Sequence, residues 1–254
     1  MNKVRALIIR APGTNCDVET AFAFEEAGAT ATLVHINKLI CGEQRLSDYQ
    51  IVAVPGGFTY GDDIAAGKVL ANELRLKLGE VVFRFVENGG LVLGICNGFQ
   101  VLVKAGILPR VADGGLPRLT LAANDSGKFE CRWLYLGVDK DSPCIFTKGM
   151  DSLYLPVAHA EGKVVADELS DFNVVLYYTN EHGNRDVGYP CNPNGSMANI
   201  AGICDSSGRV FALMPHPERY VRGTQHPQWT RLGAREHGDG FKIFFNAVEW
   251  AKNL

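Results

Sequence analysis

No stretch of the 254 residues approaches the ~18 consecutive apolar positions that a membrane span needs. Near the start only Ala6 to Ile9 is apolar before Arg10 and Pro12 intervene, which is too short for the core of a secretory signal. Charge of one sign is lacking as well. The 25 Lys and Arg are set against 28 Asp and Glu, the formal charge is −3, and no long run of like charge occurs. That excludes the electrostatic footprint of a nucleic-acid binder or of a protein held on an anionic membrane. The seven cysteines (Cys16, Cys41, Cys96, Cys131, Cys144, Cys191, Cys204) are odd in number, and no two form a C-x-x-C pair. Neither a disulfide framework nor a zinc site is favoured. With no linker, repeat or low-complexity tract, residues 1–254 read as one soluble, cytoplasmic domain. Its partners are expected to be small molecules or proteins.

What is present is an alternation of strand and helix signals. "VRALIIR" suits a buried strand, and "TNCDVETAFAFEEAG" suits a helix with Thr14 or Asn15 as N-cap, Asp17 and Glu19 in its first turn and Gly28 as its stop. "TATLVHI", "YQIVAVPGG" and "GGLVLGIC" predict three more strands. Between the last two, Val69, Leu70, Leu74, Leu78, Val81, Val82 and Phe85 recur at near-helical spacing from about Lys68 until Gly89 and Gly90. Apolar strands alternating with helices predict an α/β fold whose mostly parallel sheet is flanked by helices on both faces. The second half changes character. "FECRWLYLGVD", "SLYLPVAHAEG" and "NVVLYYTN" read as strands, and "IAGICDSSGRVFALMP" as a hairpin about Asp205 to Gly208, so antiparallel additions to the sheet are expected. A last helix should bury Phe241, Phe244, Phe245, Val248 and Ala251.

The stretch "GGLVLGICNGFQ" places Cys96 between a strand and the helix begun by "CNGFQVLVKAG". This is the geometry of a nucleophile elbow, where Gly94 and Gly98 permit close backbone approach and the new helix turns its N–H groups and positive end toward the sulfur. Both features favour the reactive thiolate. The turn also falls at the C-terminal end of a parallel strand, where open α/β sheets place ligands.

A thiol nucleophile needs a base. "MPHPERY" supplies His216, with Glu218 two residues on, and in an extended segment these project to one side, so the carboxylate can orient the imidazole. Pro215 and Pro217 stiffen the pair. Among the other histidines, His35 ends a strand, His182, His226 and His237 lie in polar loops, and His159 in "AHAEG" is the one competitor for the base. Cys16 also lies near a strand end, but Asp17 adjoins it and no elbow glycines frame it; a structural residue or a wall of the site is expected.

In "VAVPGGFTYGDD", Gly56 and Gly57 would let backbone N–H groups turn toward a developing oxyanion. The neighbouring "GDDIAAGKV" imitates a phosphate loop, yet five residues separate Gly61 from Gly67 and Val69 stands where a hydroxyl would meet Mg²⁺. A nucleotide site is not expected there.

"GICNGFQ", "PGGF" and "HPE" together resemble the G-x-C-x-G-x-Q elbow, the oxyanion strand and the His-x-Glu pair of the class I glutamine amidotransferases, in the same order. "APGTNCDVETAFAFEEAGA", "GGFTYGDD", "NDSGKFECRW" and "LPVAHAEG" extend the likeness to purine-pathway glutaminase subunits over nearly the whole chain. Two departures are that Ile64, Ala65 and Ala66 stand where an arginine is usual, and Ala160 where a glycine is usual.

The resemblance implies a flavodoxin-like fold and hydrolysis of glutamine through a Cys96 thioester, with His216 and Glu218 completing the triad. Gly57 and the backbone after Cys96 would hold the oxyanion. Phe58, Asn97, Gln100, Asn124, Ser126 and Phe129 would seat the substrate, and the place of His159 and Glu161, against substrate or partner, stays open. Ammonia would pass to a separate synthetase subunit, with a small accessory subunit beside it, that aminates formylglycinamide ribonucleotide. ATP and Mg²⁺ would belong to that synthetase, and this chain would bind neither cofactor nor metal. The segment 220–240, with Arg222, Trp229, Arg231 and Arg235, reads equally as a partner surface or a solvated loop. Two other functions remain open: a partner-independent thiol hydrolase acting on glutamine or γ-glutamyl compounds, and a silent regulatory subunit, against which the intact Cys96, His216 and Glu218 count.

Overall fold

Repeated β-α units build the first half. They are β1 (Arg5–Arg10), α1 (Asp17–Glu26), β2 (Thr30–His35), α2 (Ile36–Ile40), β3 (Ile51–Val54), α3 (Lys68–Glu73), α4 (Gly79–Glu87), β4 (Leu91–Ile95) and α5 (Asn97–Lys104). The second half is mostly strand: β5 (Leu119–Ala123), β6 (Glu130–Val138), β7 (Ser152–His159), β8 (Glu161–Ala166), β9 (Asn173–Thr179), β10 (Ile200–Cys204) and β11 (Val210–Leu213), followed by α6 (Trp229–Leu232) and α7 (Phe241–Ala251). The computed structural model describes residues 3–110, 118–169, 172–233 and 235–254.

Among the described residues, nine strands form one sheet in the order β2-β1-β3-β4-β11-β10-β9-β6-β7. From β2 to β11 neighbours are parallel; from β11 outward to β7 they are antiparallel. The parallel half has the flavodoxin-like order, with β11 as its fifth strand. The expected hairpin about Asp205 to Gly208 is β10-β11. Strands β3, β4 and β11 are buried at every position, as helices on both faces require. A second sheet, β5 with β8, was not legible in the sequence.

Local details depart from the sequence reading. Helix α1 starts after Cys16 with no side-chain cap, because the Thr14 hydroxyl instead accepts the Ala11 N–H at 3.0 Å within the preceding turn. Between α3 and α4 the chain widens into a π-helical turn, Leu74–Leu78. Leu70, Leu74, Leu78 and Val82 are all buried; a spacing of four outruns the 3.6-residue turn, and the wider turn brings them back to one face. Helix α7 buries Ile243, Phe244, Ala247, Val248 and Ala251, whereas Phe241 and Phe245 are only partly covered. The ring of Phe244 meets Phe24 of α1 edge-on at 5.0 Å.

The segment after Tyr220 is tied to the fold. Arg222 pairs with Glu26 at 3.0 Å, Arg235 donates to the Tyr220 hydroxyl at 2.6 Å, and Asp239 accepts the Tyr154 N–H at 2.8 Å. Trp229 stays partly exposed, and residue 234 lies outside the described residues. Among the described residues no helix is long and apolar enough to cross a membrane.

Candidate active site

Three adjacent parallel strands deliver the three motifs to one end of the sheet. Val54 of β3 pairs with Gly94 of β4, and Ile95 of β4 with Leu213 of β11. The residues just beyond these pairs, Gly56-Gly57, Cys96 and His216, therefore converge, and the Cys96 N–H is fixed on Leu213 O at 2.8 Å. Cys96 itself adopts φ 51°, ψ −104°, an unfavourable backbone for a residue with a Cβ, and α5 begins at the next residue. The elbow needs Gly98, since a Cβ there would lie 1.9 Å from Val54 O. Gly57 holds φ +147°, and a Cβ would strike the Gly13–Asn15 backbone at about 2.8 Å.

Nδ1 of His216 lies 2.6 Å from Glu218 Oε1, and both residues are buried. The pairing arises otherwise than the sequence suggested: Glu218 sits in a short 3₁₀ turn, Pro217–Arg219, and not in an extended segment. Because a carboxylate accepts at Nδ1, the other ring nitrogen, Nε2, is left as the one available for proton exchange; it is buried without a hydrogen-bond partner among the described residues. Burial opposes a charge on this ring, yet Glu218, then Cys96 and Cys16, hold its pKa well above the ordinary imidazole value. A buried imidazolium beside a thiol favours the thiolate, the nucleophilic form.

Cys96 lines a cavity of ≈ 240 Å³ with Gly57, Phe58, Asp62, Ala65, Ala66, Gln100, Ala158, His159, Ala160 and Glu161. That is below the ~300 Å³ at which drug-sized sites begin, and suits an amino acid better than a nucleotide. Ala158 O accepts from the Cys96 thiol at 3.6 Å.

The residues expected to seat substrate are scattered about this cavity. Gly57, Phe58 and Gln100 line it. Asn97 lies behind its wall, its amide donating to Asp62 at 3.1 Å and Gln100 at 2.9 Å and accepting from the Thr59 hydroxyl at 2.7 Å. Asn124 donates to His159 O and Lys128 O, each at 2.9 Å. Ser126 donates to Glu130 at 2.8 Å. Phe129 packs 6.4 Å from Phe58. Asp62 and Ala158 were not singled out in the sequence. Glu161, whose role was open, lines the cavity, pairs with Lys104 and accepts the Ala66 N–H at 3.4 Å; its carbonyl accepts from Gln100. The loop carrying Asp62 is strained: Tyr60, Asp62 and Ile64 all have positive φ, the last a β-branched residue at 73°.

His159, the competitor for the base, lines the cavity but has no carboxylate on its ring among the described residues. Its Nδ1 faces Asn124 Oδ1 at 3.1 Å, and burial, then the charge of His216, pushes its pKa down to about 4. Cys16, expected as a structural residue or a wall of the site, does not line this cavity but lies behind it against the His216–Glu218 pair. Its sulfur, a ring nitrogen of His216 and an oxygen of Glu218 lie within 4.8 Å of one another. Three such donors suit a metal by type, but the short His216–Glu218 hydrogen bond already uses two of them, and the Arg219 guanidinium sits on the Cys16 sulfur at 3.2 Å, where it would repel a cation.

A strained cysteine elbow, a carboxylate-held histidine and a glycine-lined backbone turn at the carboxyl ends of adjoining strands define an acyl-transfer site of the Cys-His-Glu type. The sequence matches the CobB/CobQ-like glutamine amidotransferase domain over residues 3–251, and the chain belongs to that family. More particularly, it is 58% identical, over the whole of both chains, to the phosphoribosylformylglycinamidine synthase subunit PurQ of Dehalococcoides mccartyi. The subunit of the same name from Archaeoglobus fulgidus is 42% identical, with 99% of this chain and 98% of that one covered. Among solved structures, that of PurLQS from Thermotoga maritima superposes with TM-score 0.75 at 34% identity, covering 98% of each chain.

Proposed function

We propose that this chain is the glutaminase subunit of phosphoribosylformylglycinamidine synthase, hydrolysing glutamine to glutamate and delivering ammonia to a separate synthetase subunit. The observation that carries the chemistry is Cys96 at its elbow between Gly57 and the His216–Glu218 pair. The full-length identity to the relatives named PurQ supports the particular enzyme.

The Cys96 thiolate attacks the side-chain amide carbon. Backbone N–H groups of Gly57 and of the residue after Cys96 take the developing oxyanion. The His216 imidazolium then protonates the leaving nitrogen, ammonia departs, and a γ-glutamyl thioester remains. Neutral His216 next takes a proton from water, hydroxide adds to the thioester, and the collapse returns the thiolate and glutamate. Glu218 holds the ring in the tautomer that serves both steps.

Ammonia passes to the synthetase subunit, which uses ATP and Mg²⁺ to convert formylglycinamide ribonucleotide to formylglycinamidine ribonucleotide in purine synthesis. The chain acts as one domain, supported by an apolar core that runs from Val4 to Ala251. A cytoplasmic setting is supported by seven free thiols. Glutamate release from glutamine by the purified chain, with and without the synthetase subunit, its nucleotide substrate and ATP, tests the reading. Release that requires Cys96 and rises with the partner supports it; high release indifferent to the partner favours the independent hydrolase.

A further inference from the structure

Glu218 poses a physical problem that the triad alone does not solve. It is fully buried, one oxygen is bound to His216, and the other, Oε2, has no partner among the described residues. While His216 is an imidazolium the carboxylate has a counter-charge. Turnover removes it: once the imidazolium has given its proton to the departing nitrogen, a neutral ring faces a buried anion, which is a costly arrangement unless another cation is near.

Such a cation is present. Arg219 Nε lies 3.9 Å from Glu218 Oε1, and another guanidinium nitrogen donates to the Cys16 sulfur at 3.2 Å. The Cys16 thiol in turn donates to Asn15 Oδ1 at 3.2 Å, and its backbone N–H is held by Gly56 O at 3.1 Å. Cys16 is therefore a fixed brace. The Arg219 side chain is 37% exposed, so its outer part stays hydrated while its inner edge faces the buried pair.

We propose that Arg219, braced on Cys16, is a positioning residue of the triad: it supplies the counter-charge that holds Glu218 against the ring through the thioester stage, when His216 is neutral. The inference rests on Cys96, His216 and Glu218 being the triad, and it deepens that reading. Without Arg219 the buried carboxylate has no counter-charge once the ring is neutral, the pair loses its fixed geometry, and hydrolysis of the thioester slows more than its formation.

The charged and titratable groups around His216 are Glu218 and Arg219 on its own turn, Cys16 from the β1–α1 turn, Cys96 from the elbow and His159 at the end of β7. Cys96 is shared by the Arg219 and Cys16 variants below, so a difference among those three reports on the Arg219–Cys16 pair. The experiment uses the assembled complex with glutamine, and compares Arg219→Met, Arg219→Lys, Cys16→Val and Cys96→Ala. Arg219→Met is expected to lower kcat about tenfold with KM nearly unchanged, to accumulate the γ-glutamyl thioester seen by mass spectrometry, and to move the acidic limb of the pH profile upward. Arg219→Lys restores most of the rate. Cys16→Val, which leaves Arg219 in place without its brace, shows the same pattern more weakly and serves if Arg219→Met does not fold. Wild-type kcat and pH profile in Arg219→Met, or a loss shared by Arg219→Lys with no thioester, overturns the inference. Full turnover in Cys96→Ala would instead overturn the triad.

Discussion

The 2.6 Å approach of His216 Nδ1 to Glu218 Oε1 joins two side chains that are shut off from solvent, His216 just before and Glu218 within the 3₁₀ turn Pro217–Arg219. So short a charge-assisted contact between buried groups fixes the ring's tautomer and orientation before any substrate arrives. Glu218→Gln keeps the shape but removes the charge. The loss in kcat should fall in the range of about 10²–10⁴ that general acid–base catalysis supplies, with KM little altered. Steady-state kinetics decide this, and a loss below about threefold contradicts the orienting role.

The elbow tolerates no side chain at Gly98, where a Cβ would stand 1.9 Å from Val54 O. Gly98→Ala forces α5 away from β3. Overpacking of this kind costs about 1–3 kcal/mol, and because α5 begins directly after Cys96, activity should fall with stability. Denaturant unfolding together with the glutaminase assay tests both. A variant with unchanged midpoint and rate would contradict the close packing.

His159 links stability to pH. Its folded pKa of about 4 lies below the ordinary 6.5. As pH falls through 6.5, the unfolded chain takes up a proton that the folded chain refuses, and the penalty grows until pH 4. Its full size is about 3 kcal/mol. His159→Gln removes this contribution, so between pH 7 and pH 4 the variant should lose about 3 kcal/mol less stability than the parent. Equal losses in the two proteins would show that the folded imidazole titrates normally.

Helix α7 is anchored by one ring. Phe244 is fully buried and packs edge-on against Phe24. Phe244→Ala should cost about 3–5 kcal/mol of unfolding free energy, from lost transfer energy plus the cavity left behind. Exposed Trp250 on the same helix provides the control, since Trp250→Ala should cost far less.

Much of this was legible in the sequence because the signals are local. Gly94, Cys96 and Gly98 announce the elbow within five residues, and His216 and Glu218 announce their pairing within three, although by a tighter turn than the extended one expected. Runs of apolar residues marked β3 and β4, and their burial on both faces followed; β11 was expected only as half of an antiparallel hairpin, and its parallel pairing with β4 was not signalled. The cavity walls were less accessible. Asp62, Ala158 and Glu161 line the cavity with Cys96 because a strained loop, the end of β7 and the start of β8 meet there. Asn97 and Asn124 carry side chains that suit a ligand, yet they spend them on protein partners. The contact between Cys16 and Arg219 spans 203 positions, and nothing local signals it. The π-helical turn at Leu74–Leu78 and the β5-β8 sheet arise from packing, and periodicity alone cannot reveal them.

The most direct measurement compares glutamine with free ammonia as nitrogen donor for formylglycinamidine ribonucleotide synthesis by the complete complex, with Cys96 intact or replaced by alanine. Cys96→Ala is expected to abolish synthesis from glutamine and to leave synthesis from ammonia at the parent rate. Undiminished synthesis from glutamine in that variant would contradict Cys96 as the nucleophile, and loss of both activities would contradict the separation of glutaminase and synthetase chemistry.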